Sequence, residues 1–137
     1  MIDMSAFAKA AIAFLLAFVA AGGFALIFKA VYQAITPYRE AKLIREGNTA
    51  AAIALAGALI GYILPVASAL SNTSTLPEFV LWAAMAGVIQ VVTFTVVRMI
   101  ALPDVQARIE SGEVSIGIYV ATISVVVGII NAACMTA

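Results

Sequence analysis

The sequence predicts an all-α membrane protein, a four-transmembrane-helix bundle made of two parallel two-helix repeats. Three observations predict it. The 137 residues are 65% hydrophobic and only 10% charged, against about a quarter charged in an ordinary soluble domain, so lipid is the solvent for most side chains. The apolar residues fall into four stretches, each long enough at ~1.5 Å per residue to cross a hydrocarbon core about 30 Å thick. The connection between the first and second stretches also resembles the one between the third and fourth, the mark of a duplicated hairpin.

Taken in order, the spans run from about Ala6 to Phe28, Thr49 to Leu70, Phe79 to Ile100 and Val114 to Thr136. Charges and turn formers collect between them: Thr36-Pro37-Tyr38-Arg39-Glu40 onward to Gly47-Asn48, then Ser71 to Glu78, then Leu102-Pro103-Asp104 to Gly112-Glu113. The first apolar run is about twice the length of a signal-peptide core and no basic residue precedes it, so it reads as a retained span. The whole chain, 1–137, is expected to form one integral membrane domain.

Six of the seven basic residues lie in or beside the first and third connections: Lys29, Arg39, Lys42, Arg45, Arg98 and Arg108. The second connection has none and the N-terminal flank only Lys9. Positive-inside counting then puts the first and third connections in the cytoplasm and both termini in the periplasm of a bacterial inner membrane.

The two halves, about 5–70 and 77–137, align with one gap. Thr36-Pro37, a charged stretch and Leu43-Ile44-Arg45-Glu46-Gly47 overlie Leu102-Pro103, a charged stretch and Arg108-Ile109-Glu110-Ser111-Gly112. Two spans separate equivalent points, so the copies share one orientation across the membrane.

In lipid, helices associate through small residues and polar contacts, because the hydrophobic effect does not drive them together. Span two carries Ala50, Ala54, Gly57 and Gly61 on one face, and span four carries Gly117, Ala121, Ser124 and Gly128, followed by Asn131. Span three has Ala83, Gly87 and Gln90, and span one has Ala10, Ala13 and Ala17. These stripes read either as the seams of one bundle or, in part, as a homo-oligomeric interface. Pro65 cannot donate to the carbonyl of Gly61, so a kink and a freed acceptor are expected in span two.

The deep polar residues are uncharged. Gln90, Ser124 and Asn131 form a candidate intramembrane polar site, with two readings: an interhelical clamp, or a contact to a solute in a pore. Arg98 sits near a span end where snorkelling suffices, and with Arg39, Lys42, Arg45 and Arg108 it makes a basic cytoplasmic turn. The two charged connections are expected to be short amphipathic helices, with Leu43-Ile44 and Val105 to Ile109 dipping into the lipid interface. Glu40, Glu46 and Glu110 are then solvated partners of neighbouring cations. Catalysis lacks residues: there is no histidine, and no Ser or Cys has an evident base partner. Cys134 reads as a small packing residue. Seven basic against seven acidic residues leave no surface for nucleic acid, and one cysteine without histidine provides no zinc site or disulfide scaffold. No cofactor or metal is expected.

Ile35-Thr36-Pro37 with Glu40, Gly47-Asn48-Thr49-Ala50-Ala51, the Gly57 to Gly61 pair followed by Pro65 and Ser68-Ala69, Trp82, Gln90, Arg98, Pro103, Ile109 with Gly112, and the closing Asn131-Ala132-Ala133-Cys134-Met135-Thr136 together resemble the YjfL-like family of small bacterial inner-membrane proteins, the domain of unknown function 350. The closing run is the most specific part of the likeness. Glu113-Val114-Ser115-Ile116-Gly117 is bulkier than the Ala-rich helix start expected there. The resemblance implies a multi-pass protein built from a duplicated two-helix unit, without an assigned activity, often encoded near membrane-stress proteins of the phage-shock type. Two functions compete: a non-enzymatic membrane component whose basic turn recruits a cytoplasmic membrane-stress protein, and an oligomeric small channel or transporter for ions or small solutes.

Overall fold

The computed structural model describes residues 1–36, 38–101 and 104–136, without the side chain of Ala101. The expected turns at Pro37 and at Leu102-Pro103 therefore lie outside the described residues. The helices are α1 (Met4–Ile35), α2 (Glu40–Arg45), α3 (Thr49–Asn72), α4 (Leu76–Ala101), α5 (Val105–Glu110) and α6 (Val114–Cys134). No strand occurs among the described residues. Four of the helices, α1, α3, α4 and α6, are long and apolar enough to cross a membrane.

Local chemistry sets the helix ends. Asp3 caps α1 by accepting from the amides of Ser5 and Ala6 at 3.0 and 3.4 Å. Glu78 accepts from the Ser74 amide at 3.2 Å while Thr75 Oγ1 accepts from the Glu78 amide at 3.3 Å, a reciprocal cap at the start of α4. Both short helices stop in the same way: Gly47 and Gly112 take φ of 85° and 82°, and the residue after each donates back to Leu43 at 2.8 Å and to Arg108 at 3.0 Å. Any residue with a Cβ would strain these left-handed positions. Asn48 then does two things at once. Its Oδ1 caps α3 through the Ala51 amide at 3.0 Å, and its Nδ2 donates to the Ile109 carbonyl at 2.8 Å, tying the start of α3 to the end of α5.

The core of the bundle is the α3 and α6 pair, the most extensive helix contact in the chain. Ala50 faces Gly117, Gly57 faces Ala121, Gly61 faces Ser124 and Gly128, and Ser68 Oγ donates to the Ala132 carbonyl at 3.0 Å. Residue numbers rise together along the contact, so α3 and α6 run the same way. A Cβ on Gly117 would stand 2.5 Å from the Ala50 carbonyl oxygen. On Gly57, Gly61 or Gly128 it would overlap the backbone of Ala121, Ser124 or Gly61 outright. The helix α3 continues through Pro65. The Gly61 carbonyl that Pro65 leaves without its amide partner is the one Gly128 presses against, a Cα–H contact that only glycine permits.

The other two spans wrap this pair. Helix α4 packs Phe79, Ala83, Ala86 and Gln90 inward, and Tyr62 of α3 lies over Gly87 and donates to the Ala83 carbonyl at 2.8 Å. Helix α1 attaches by aromatic rings: Phe24 edge-on to Phe79 at 5.8 Å, Phe28 stacked on Tyr62 at 4.3 Å, and Tyr32 against Phe94 at 5.3 Å. This corrects the expected end of the first span. The helix does not stop at Phe28 but continues to Ile35, because Phe28 and Tyr32, one turn apart, both pack into the core.

Three further expectations change. The Ala10, Ala13 and Ala17 stripe of α1 is not a seam of this bundle, since Ala10 and Ala13 are exposed and Ala17 half-buried. Val105 and Ile109 are buried against the bundle and are not free to enter the lipid interface, whereas Leu43 and Ile44 are half-buried, packed on the core. Cys134 is exposed and is not a core packing residue of this bundle. Met135, the next residue, is the one that reaches the core.

Gly61→Ala and Gly128→Ala should each push α3 and α6 apart, with a loss of about 1–3 kcal/mol in reversible unfolding from mixed micelles. Gly22→Ala and Gly23→Ala, where an added Cβ meets nothing within 4 Å, should leave the transition in place or raise it slightly.

Candidate functional site

The candidate polar residues Gln90, Ser124 and Asn131 come together in the middle of the bundle, 2%, 2% and 6% exposed. Gln90 Nε2 donates to the Ser124 carbonyl at 2.8 Å. Asn131 Nδ2 donates to the Ala86 carbonyl at 3.0 Å and lies 3.5 Å from Gln90 Oε1. The Ser124 hydroxyl turns back to its own helix, onto the Val120 carbonyl at 3.1 Å, so Ser124 takes part through its backbone and not its side chain. Gly61 makes the room: a Cβ there would stand 3.0 Å from Gln90 Nε2. The arrangement joins α4 to α6 beside the α3 contact, as a clamp would. Beside it, walled by Phe28, Tyr32, Ala58 and Phe94, lies a cavity of about 10 Å³, the size of one water molecule and not of a hydrated ion.

A second cluster forms where α1, α2 and α4 meet, and the sequence pattern did not single it out. Glu40, expected to be solvated, is 2% exposed, and Tyr32 and Tyr38 are 1% and 3% exposed. The Arg98 guanidinium lies over the rings of Tyr38 and Phe94, 5.3 and 5.2 Å from their centres, so it turns into the bundle instead of snorkelling outward. Among the described residues, the buried side-chain polar atoms without a hydrogen-bond partner are Tyr32 Oη, Tyr38 Oη, both carboxylate oxygens of Glu40, and Nε and Nη2 of Arg98. All belong to this cluster. Burial pushes the Glu40 carboxyl up to about 7, against the opposing pull of the Tyr32 hydroxyl, Arg98, the Tyr38 hydroxyl and Lys29. Burial, then the Glu40 carboxylate, also raises the Tyr38 phenol.

The burial of Glu40 has a simple cause. It is the first residue of α2, and once Leu43 and Ile44 lean on the bundle, the helix turn carries Glu40 to the same side. The signal was present as the spacing Glu40, Leu43, Ile44, but a carboxylate on an apolar face reads as solvated until the facing Tyr32 and Arg98 are known.

The basic turn divides. Arg108 makes a two-pronged pair with Glu113 at 2.8 and 2.6 Å, and Arg98 belongs to the buried cluster. Arg39, Lys42 and Arg45 remain exposed around an open cleft of about 440 Å³ that Gln33, Thr36, Tyr38 and the buried Glu40 help to line. Lys42 has Glu46 at 4.0 Å. No ion pair reaches Arg39 or Arg45 among the described residues.

In a double-mutant cycle of Gln90→Ala with Asn131→Ala, each single change should cost about 1 kcal/mol and the coupling should be about 0.5 kcal/mol. Additive losses in the unfolding measurement would mean that the two amides act apart.

The chain was compared with known proteins. The UPF0719 inner membrane protein YjfL of Escherichia coli strain K12 is 39% identical over 111 residues, which cover 81% of this chain and 83% of that protein. The protein of the same name from Escherichia coli O157:H7 matches to the same extent. No solved structure matches. The relatives' name gives their location and no activity. The family described as Domain of Unknown Function (DUF350) matches residues 5–135, and with four apolar helices between those limits the chain belongs to the DUF350 family.

Proposed function

We propose that this protein is a non-enzymatic component of a bacterial inner membrane that recruits a cytoplasmic membrane-stress protein through the basic face of α2. The observation that carries this reading is the open cleft bordered by Arg39, Lys42 and Arg45, in which no acidic side chain pairs with Arg39 or Arg45 among the described residues. Unpaired cations around a concave surface favour an acidic partner and draw it in at low ionic strength. The relatives' inner-membrane location supports the setting. Both termini lie in the periplasm in this reading, which puts α2 and α5 on the cytoplasmic side with six of the seven basic residues.

The second reading, an oligomeric small channel or transporter, has one observation in its favour. The first half of α1 presents Phe7, Ile12, Phe14, Leu15 and Phe18 outward, each more than half exposed, a face that lipid or other copies would cover. Several copies together would have to build the passage, since the space beside Gln90 holds one water.

A reporter active only in the periplasm, fused after Ala137, should give signal. Capture from solubilised membranes should recover a peripheral cytoplasmic protein that is lost when Arg39, Lys42 and Arg45 are all changed to Gln, is retained in Arg108→Gln, and weakens as salt is raised. Recovery indifferent to those charges sinks the docking reading. Flux of protons, ions or polyamines into liposomes, together with a closed ring of copies in a native-like bilayer, would put the channel in its place.

A further inference from the structure

Buried polar groups in native proteins almost always have partners, and those that do not tend to collect where something else binds or where a charge changes. Here the buried polar atoms without a well-formed hydrogen bond, among the described residues, gather on four side chains, Tyr32, Tyr38, Glu40 and Arg98, although the two hydroxyls stand close enough to Glu40 to favour its carboxylate. The four side chains come from three places in the chain: α1, the residues leading into α2, and α4. One of the four, Glu40, anchors a six-residue helix that is too short to hold its form in water without packing. The only other groups of α2 on that side are the half-buried Leu43 and Ile44. Glu40 is therefore the one ionisable group that α2 buries against the bundle, beside the apolar contacts of Leu43 and Ile44.

We propose that Glu40 is a proton-binding site whose occupancy decides whether α2 stays seated on the bundle, the neutral acid holding it down and the carboxylate releasing it to water. The chemistry is a plain protonation, with a proton from the adjoining water taken up by a carboxylate oxygen of Glu40. A carboxylate offers about four acceptor positions, and the two tyrosine hydroxyls can donate one hydrogen bond each. A neutral carboxyl needs fewer donors and supplies one of its own, so the cluster suits the acid better than the ion. Arg98 works the other way, but its guanidinium rests on aromatic rings and forms no ion pair with Glu40.

The remaining charged and titratable groups around Glu40 do not reverse this. Lys29 of α1 favours the carboxylate and is the last of its influences in order of size. Arg39, Lys42, Arg45 and Glu46 lie on the exposed side. Glu110 of α5 faces Glu40's neighbours Tyr38, Arg39 and Lys42 across an open cleft. Helix α3 brings no charge, and its one tyrosine, Tyr62, is bonded to the Ala83 carbonyl. The sign follows from the raised carboxyl: seating is at full strength below the ordinary value of 4.5, weakens as the pH rises, and is lost as the pH passes about 7. The proton site rests on the docking reading only for its consequence, since a released α2 would present Arg39, Lys42 and Arg45 on a free segment.

The test uses the full chain with Cys134→Ser in lipid nanodiscs, labelled with carboxyl-¹³C glutamate and, separately, with a nitroxide at Ala41→Cys, titrated from about pH 4 to pH 9. One glutamate should titrate with a midpoint of about 7 and be missing in Glu40→Gln. The nitroxide should be immobile at low pH, gain mobility through the same midpoint, and stay immobile at every pH in Glu40→Gln. Tyr32→Phe, which removes a hydroxyl that favours the carboxylate, should move both midpoints upward, and it carries the test if Glu40→Gln fails to assemble. Five glutamates all titrating in the ordinary range, or a mobility change that survives in Glu40→Gln, overturns the proposal. Neither readout involves a partner, so loss of the partner and loss of the proton site are told apart.

Discussion

The backbone contact between α3 and α6 is the constraint from which the rest of the molecule is built. A bilayer gives no hydrophobic reward for bringing two apolar helices together, so the attraction must come from close contact along their length. Gly57, Gly61, Gly117 and Gly128 provide that by removing the one carbon that would hold the backbones apart. The polar clamp depends on the same approach. Gln90 reaches the Ser124 carbonyl at 2.8 Å across a space that Gly61 leaves open, and Asn131, one turn beyond Gly128, reaches the Ala86 carbonyl at 3.0 Å. Pro65 takes part from a distance, since the carbonyl it leaves without an amide is the one that meets Gly128.

The polar groups are divided by type. Neutral amides lie at mid-bundle, and each donates to a backbone carbonyl, which suits a place where water cannot repair a missing partner. The ionisable cluster lies at the end of α1 beside the short helices, where the chain leaves the apolar spans, and there its hydrogen bonds are incomplete. An unsatisfied group costs least where water can enter when the structure opens, and it is in such places that a change of charge can move a segment. Glu40 is itself among the residues that line the cleft walled by Arg39, Lys42 and Arg45, so the buried acid and the exposed cations share one helical turn.

Much of this was legible from residue spacing. The small residues at 50, 54, 57 and 61 and at 117, 121, 124 and 128 follow the helical period closely enough to mark two stripes, and nearly all of them are buried where the structure brings those stripes together. Gln90, Ser124 and Asn131 could be grouped because amides and hydroxyls are rare in apolar spans, although only the coordinates show that Ser124 contributes its carbonyl. The stripe of Ala10, Ala13 and Ala17 shows the limit of such patterns. It has the same periodicity, yet Ala10 and Ala13 stay exposed and Ala17 only half-buried, because a face of small residues says that a helix could approach, not that one does.

The solvent, the number of spans, the stripes of small residues and the places where the charges gather can all be read from the chain alone. These depend on composition and on the period of 3.6, both local properties. Which stripes meet, and which charges stay in water, depends on how the helices pack. Glu40 and Arg98 are 58 positions apart, and the local spacing that puts Glu40 on the face of Leu43 and Ile44 does not say that Arg98 and Tyr32 stand opposite, while Glu46 and Arg45 remain exposed. The burial of Glu40 follows from α1 running on past Phe28 and bringing Tyr32 against Phe94, which closes an apolar wall around a site whose members come from distant parts of the chain. A pKa is set by what surrounds a group, and those surroundings exist only after the helices have packed.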